Sequence, residues 1–172
     1  ADVVASRPEL SDEQARMVDA VCRSDRFVLP VEGRPGAGKT YATEAIVAAH
    51  VEAGVPILGC AVSAAAASEL ETQAGFARSA MAATTVAKLL HDLDRFGGLA
   101  AGTTVVVDEA SMIGTRDLAR LADHAERIAG RMILVGDPDQ HGSVDAGGVF
   151  ARLCRERGDD PVKLVENRRQ DD

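Results

Sequence analysis

Phe27-Val28-Leu29-Pro30-Val31 runs through Glu32 into Gly33-Arg34-Pro35-Gly36-Ala37-Gly38-Lys39-Thr40, and Tyr41 to Ala53 then follows without a proline or glycine. The apolar pentapeptide reads as a short buried strand. The stretch from about Lys39 to Ala53 reads as a helix that Gly54 stops. Between them the octapeptide fits GxxxxGK[ST], in the strand–turn–helix context that the pattern requires. Its glycines let backbone N–H groups turn inward around phosphate oxygens without a Cβ in the way, and the helix N-terminus adds its positive end. Gly33, Pro35, Gly36, Ala37 and Gly38 are therefore expected to line a phosphate cradle. Lys39 would reach the β- and γ-phosphates, the Thr40 hydroxyl would ligate Mg²⁺, and Tyr41 is a further candidate nucleotide contact at the start of the helix.

Outward from this loop the same alternation repeats. Ser11 with Gln14 three residues on forms a capping-box pattern that starts a first helix. Residues 56–61 predict a strand, 64–74 an alanine-rich helix, and Thr85 to Leu93 a short helix. Thr103 to Val107 is the clearest strand in the chain, followed by a helix over 115–129 and a strand over 131–135. Gly148 to Arg157 predicts a helix and 161–165 a last strand. Apolar strands alternating with helices predict an α/β fold with a mainly parallel sheet covered on both faces. No linker, repeat or low-complexity tract divides the 172 residues, so one domain over 1–172 is expected.

Composition narrows the class. Hydrophobic residues make up 46% and charged residues 27%, an ordinary globular mixture. No apolar run reaches the length of a membrane span, and the first twelve residues lack a basic-then-apolar leader pattern. Cys22, Cys60 and Cys154 are far apart and form no CxxC pair, so a cytoplasmic setting is the expectation. Nineteen basic against 27 acidic residues give a net charge of −8, which argues against coating by nucleic acid through bulk charge but leaves room for a local track.

Val105-Val106-Val107-Asp108-Glu109 places two carboxylates at the carboxyl end of a buried strand, where ligands of such sheets collect. Asp108 would hold Mg²⁺ through its water shell, and Glu109 would polarise the water that attacks the γ-phosphate. A guanine reader of the NKxD type is missing from the sequence and no arginine-rich lid is apparent, so ATP hydrolysis is favoured over GTPase or small-molecule kinase chemistry. A second strand ends in Gly136-Asp137-Pro138-Asp139-Gln140, whose glutamine is placed to touch both γ-phosphate and attacking water. Near the end, Arg168 and Arg169 offer either a guanidinium for the transferring phosphoryl group or a solvated basic tail.

Taken in order, these motifs resemble the first RecA-like domain of superfamily 1 DNA helicases, in the RecD-like branch shared with the helicase half of MobF/TraA-type conjugative relaxases. The resemblance runs through Leu10-Ser11-Asp12-Glu13-Gln14, GRPGAGKT, the block from Ala61 to Ala67, VVVDEASMIG, VGDPDQ with Ala146 to Phe150, and ENRRQ. It implies a P-loop NTPase with a RecA-like three-layer sandwich that binds ATP and Mg²⁺ and moves on single-stranded DNA. It also implies a second RecA-like domain in the same parent protein, absent from this chain. Gln14 is similar to the family's adenine-reading glutamine, an alternative to its capping role. Ser63 and Ala64, and less clearly Thr84 and Thr85, match DNA-facing segments, although an alanine-rich packed helix explains the first pair equally well. Arg169 matches the family's γ-phosphate arginine, with Arg168 as the neighbouring alternative. His141 stands where the family usually has leucine and is given no catalytic role. The parent is expected to be a conjugative relaxase-helicase. A RecD-like repair helicase, or a nucleotide switch that does not hydrolyse, remains the alternative.

Overall fold

The computed structural model describes residues 4–79, 81–140, 148–156 and 163–164. Its elements are α1 (Asp12–Arg23), β1 (Val28–Gly33), α2 (Lys39–Glu52), β2 (Ile57–Ala61), α3 (Ala64–Gln73), β3 (Thr84–Thr85), α4 (Val86–Phe96), β4 (Thr104–Val107), α5 (Thr115–Arg127), β5 (Arg131–Gly136), α6 (Val149–Glu156) and β6 (Lys163–Leu164). Short 3-10 turns cover Phe76–Arg78 and Ala110–Met112.

The strands form one sheet in the order β3-β2-β4-β5-β1-β6, and every registered pair is parallel. The period-2 alternation of strand side chains divides the core in two. Leu29, Val31, Val106, Ile133 and Val135 face the layer of α1, α2 and α3, where Met17, Val18, Ile46 and Leu70 cover them. Leu58, Cys60, Val105, Val107, Met132 and Leu134 face α4, α5 and α6, meeting Leu89, Leu90, Leu121 and Phe150. This is a three-layer α/β/α sandwich, as expected for a RecA-like domain.

Arg131, the first residue of β5, ties the amino-end edge of the sheet to the helices. Its Nη1 donates to the carbonyls of Val21 (3.2 Å) and Ser24 (2.7 Å), and its Nε donates to the Thr104 hydroxyl (3.2 Å). Nη2 lies 2.9 Å from His50 Nε2. Since the Nδ1 of His50 sits 2.7 Å from the Ile46 carbonyl, that nitrogen carries the proton and Nε2 accepts from Arg131. The half-buried guanidinium thus supplies a cation where the carbonyl ends of α1 and α2 gather.

The expected elements are present, with small shifts at their ends. β1 continues to Gly33 because β6 pairs with Glu32 and Gly33, while the Arg34 N–H donates to the Leu164 carbonyl. The strand β3 was not foreseen. Thr84 and Thr85 pair with Cys60 and Ala61, and the Thr85 side chain then caps α4 by accepting from the Lys88 N–H. Two residues are too few to show an alternation, so only the neighbouring strand reveals this edge. Of the strand expected over 161–165, residues 163 and 164 are described; Arg157, His141, Arg168 and Arg169 lie outside the described residues.

Candidate nucleotide and hydrolysis site

Because β1, β5 and β4 are parallel neighbours, their carboxyl ends open on one edge of the sheet. β1 delivers the loop from Gly33 to Thr40, β5 delivers Gly136 to Gln140, and β4 delivers Asp108 and Glu109. Three segments separated by some seventy and thirty residues of sequence are brought together by register alone.

Within the loop, Gly36 and Gly38 hold positive φ (79° and 74°), a region open to glycine without strain. Gly38 caps α2, and a Cβ there would overlap the Gln14 side chain; one on Gly33 would overlap the Lys39 stem. The Lys39 ammonium donates to the carbonyls of Gly33 (2.8 Å) and Arg34 (3.1 Å), so the side chain folds across the cradle it is expected to serve. Thr40 is exposed beside it, and Ala37 is buried beneath. These features fit a phosphate group: a loop that turns through glycines at positive φ, a helix N-terminus, and a cation already at its mouth.

Gln14 performs the capping role. Its N–H donates to the Ser11 hydroxyl (3.1 Å), and its Oε1 accepts from the Ser11 N–H (3.0 Å). The same side chain also reaches the loop, donating from Nε2 to the Gly38 carbonyl at 3.3 Å. It is 4% exposed, so the amide is held between α1 and the start of α2. Tyr41, 47% exposed, stands on the same side of α2 within electrostatic reach of Arg7. One turn further along α2, the Glu44 carboxylate accepts from both Arg7 and Arg78. Burial would push that carboxyl up, but the two guanidinium hydrogen bonds outweigh it and hold it below its ordinary range.

At the end of β4, the Asp108 N–H donates to the Cys60 carbonyl (2.8 Å), and one Asp108 oxygen accepts from the Glu109 N–H (2.9 Å). Burial pushes the Asp108 carboxyl up. The Glu109 N–H and the Lys39 charge pull the other way without restoring the ordinary value. Burial also raises Glu109, aided by the charges of Asp108 and Glu69 and opposed by Lys39. Two carboxylates that resist ionisation side by side, within the field of Lys39, form a donor set suited to a divalent cation, which would relieve their repulsion. Asp108 and the Thr40 hydroxyl are the residues that would hold Mg²⁺. Glu109 has φ 53°, a left-handed conformation uncommon for a residue with a side chain, and the Ala110–Met112 turn starts from it.

At the end of β5, Asp137 is buried and organises a tight turn. Its carboxylate accepts from the Asp139 N–H (3.0 Å) and its carbonyl from the Gln140 N–H (3.2 Å), leaving the Gln140 side chain exposed.

The sequence did not point to Glu69. It lies on α3 five residues beyond Ala64, yet its charge acts on both Asp108 and Glu109. No local pattern marks it, because its approach depends on how α3 packs against β2 and β3. The DNA candidates lie along the β2–β3 edge. Ser63 caps α3 by accepting from the Ala66 N–H (3.1 Å), and Ser63 and Ala64 are exposed. Ala61, two residues before Ser63, is in register with Thr85. The four residues therefore share one corner of the sheet, beside Glu69.

Comparison with known proteins supplies the family. A family model described as an AAA domain matches residues 9–172. A probable conjugal transfer protein TraA of Sinorhizobium fredii is 31% identical over 166 residues, covering 94% of this chain and 14% of that protein. The RecD subunit of the Mycobacterium tuberculosis RecBCD enzyme is 37% identical over 166 residues, covering 83% and 28% respectively. The ATP-dependent RecD2 DNA helicase of Deinococcus radiodurans is 32% identical over 170 residues, covering 96% and 22%. The chain thus spans well under a third of each of these relatives.

Proposed function

This chain belongs to the AAA domain family, in the RecD-like branch that includes TraA conjugal transfer proteins, and we propose that it is the MgATP-hydrolysing half of a motor acting on single-stranded DNA. The observation that carries this reading is the convergence of Lys39, Asp108, Glu109 and Gln140 at the carboxyl ends of three adjacent parallel strands. In this function the Gly33–Gly38 backbone and Lys39 bind the phosphates, and Gln14 and Tyr41 border the base. Thr40 and Asp108 would hold Mg²⁺, which would neutralise phosphate charge. Glu109, its carboxyl already raised by burial, takes a proton from the attacking water, and Gln140 senses whether the γ-phosphate is present. Arg169, or Arg168 beside it, completes the phosphate shell. Ser63, Ala64, Thr84 and Thr85 offer small side chains and a helix N-terminus to the DNA backbone.

The parent protein in this reading is a conjugative relaxase-helicase, supported by TraA matches that cover 94% of the chain. It holds a second RecA-like domain that closes over the nucleotide. A RecD-like repair helicase is the second reading, favoured by the higher identity to RecD. The residues 1–172 form one RecA-like unit that binds MgATP, hydrolyses it slowly and does not unwind DNA alone.

Anisotropy of a labelled oligo-dT, with and without a non-hydrolysable ATP analogue and across a salt series, tests the reading. Binding that shifts with the analogue in the wild type but not in Lys39→Ala supports it. Robust unwinding by the isolated chain would overturn the division of labour proposed. Function left intact in Glu109→Gln, with no turnover in either protein, would instead favour a nucleotide switch.

A further inference from the structure

Ser111 is the second residue of the turn that carries Glu109 into Ile113. Its Oγ is buried, and it has no hydrogen-bond partner among the described residues. A buried hydroxyl without a partner forfeits its hydration for nothing in return, and such groups are rare in native interiors. Its position gives the exception a meaning. Gly136, the last residue of β5, packs directly on this turn: a Cβ there would stand 3.2 Å from the Ser111 nitrogen and 3.3 Å from that of Ala110. A side chain at this position would crowd the contact between the backbone after Glu109 and the backbone before Asp137.

On the turn that starts at Gly136, Gln140 is the one side chain that can offer Ser111 an N–H donor. Asp137 accepts from the Asp139 N–H through one carboxylate oxygen, neither aspartate has a side-chain N–H, and Pro138 has no donor. Gln140 contributes its N–H to the Asp137 carbonyl and leaves its side-chain amide exposed. A buried hydroxyl without a partner and an exposed amide thus sit on the two turns that this backbone contact joins. The next residue but one before Ser111 is the left-handed Glu109, so the strain is local to the hydrolytic carboxylate.

We propose that Ser111 is a positioning residue, whose hydroxyl hydrogen-bonds the Gln140 side chain when MgATP is bound and so locks the Glu109 turn to the phosphate-sensing turn. The inference rests on the hydrolytic reading above and adds to it a named link between base and sensor. It makes Ser111 neutral or costly to the protein alone and favourable to the nucleotide complex, a sign reversal that a merely structural serine does not show.

Thermal melts and analogue binding of wild type, Ser111→Ala, Gln140→Ala and the double variant test this, with Mg²⁺ and a non-hydrolysable ATP analogue as the probe. Without nucleotide, Ser111→Ala melts at or above the wild type. With it, Ser111→Ala binds the analogue roughly fivefold more weakly, within the usual range for one hydrogen bond, and the double variant is no weaker than the weaker single. A lower melting temperature for Ser111→Ala without nucleotide overturns the proposal, because the hydroxyl then already has a partner. Unchanged affinity, or losses that add in the double variant, also overturn it. Failure of the wild type to bind the analogue strikes the hydrolytic reading itself, and this inference falls with it.

Discussion

The side-chain amide of Gln14 donates to the carbonyl of Gly38 at 3.3 Å while its oxygen closes the capping box on Ser11 at 3.0 Å. One side chain therefore braces the start of α1 and the phosphate loop together. Gln14→Ala is expected to cost about 1 kcal/mol of stability through the lost cap and also to weaken nucleotide binding. Gln14→Glu keeps the cap acceptor but loses the donor to Gly38, so it separates the two effects. Melts and titration with a fluorescent ATP analogue check this; equal affinity in wild type and Gln14→Ala would remove the loop-bracing role.

Gly38→Ala follows from the same contact. A Cβ there overlaps the Gln14 amide and sits at φ 74°. Loss of about 1 kcal/mol or more is expected from the backbone alone, together with loss of measurable nucleotide binding. A fully functional Gly38→Ala protein would show that the loop rearranges freely.

The raised carboxyl of Asp108 has a consequence for stability. Folding disfavours its ionised form, so the group's contribution is most favourable below the ordinary carboxylate pKa of 3.8 and is lost as pH rises through the higher folded value. Asp108→Asn is therefore expected to melt higher than wild type at pH 7 in metal-free buffer, with the gain shrinking on acidification. The same variant loses its response to Mg²⁺. A lower melting temperature at pH 7 would contradict the burial argument.

Glu109→Gln keeps the shape and removes the base. Turnover is expected to fall by about 10²–10⁴-fold with MgATP affinity retained, as single-turnover and binding measurements would show. A parallel loss of affinity would mean that Glu109 holds the metal rather than the water.

His50 gives the opposite pH dependence from a salt-bridged histidine. Burial, with Arg131 adding to it, lowers its pKa below 6.5 despite the bond to Ile46. The unfolded chain then binds the proton first, so stability is full above pH 6.5 and falls as the pH drops towards the folded value. Melts between pH 7 and pH 5 should show this decline, and His50→Gln should flatten it. Arg131→Met, which strips the donors to Val21, Ser24 and Thr104, is expected to cost about 2 kcal/mol at pH 7 and less at pH 5, where the loss of the nearby cation eases His50 protonation, while leaving nucleotide affinity intact.

The phosphate loop, the Asp108–Glu109 pair and the Asp137–Gln140 turn were legible in the sequence because each is contiguous. Glycine spacing, two adjacent carboxylates after three valines, and a proline turn after an apolar run each carry their chemistry locally. The unbroken apolar run of Val105, Val106 and Val107 likewise announced a strand buried on both faces, and with it the sandwich. Gln14 was legible in type, though only the fold showed that capping and loop contact occur together. Tertiary structure alone decided what lies between segments: Glu69 near the carboxylates, Arg7 and Arg78 meeting on Glu44, the β3 edge, and Gly136 pressed against Ser111. These depend on parallel strands joined by long crossovers. In such a sheet the register is set by the packing of whole layers, and no local pattern records which residues the crossover brings within reach.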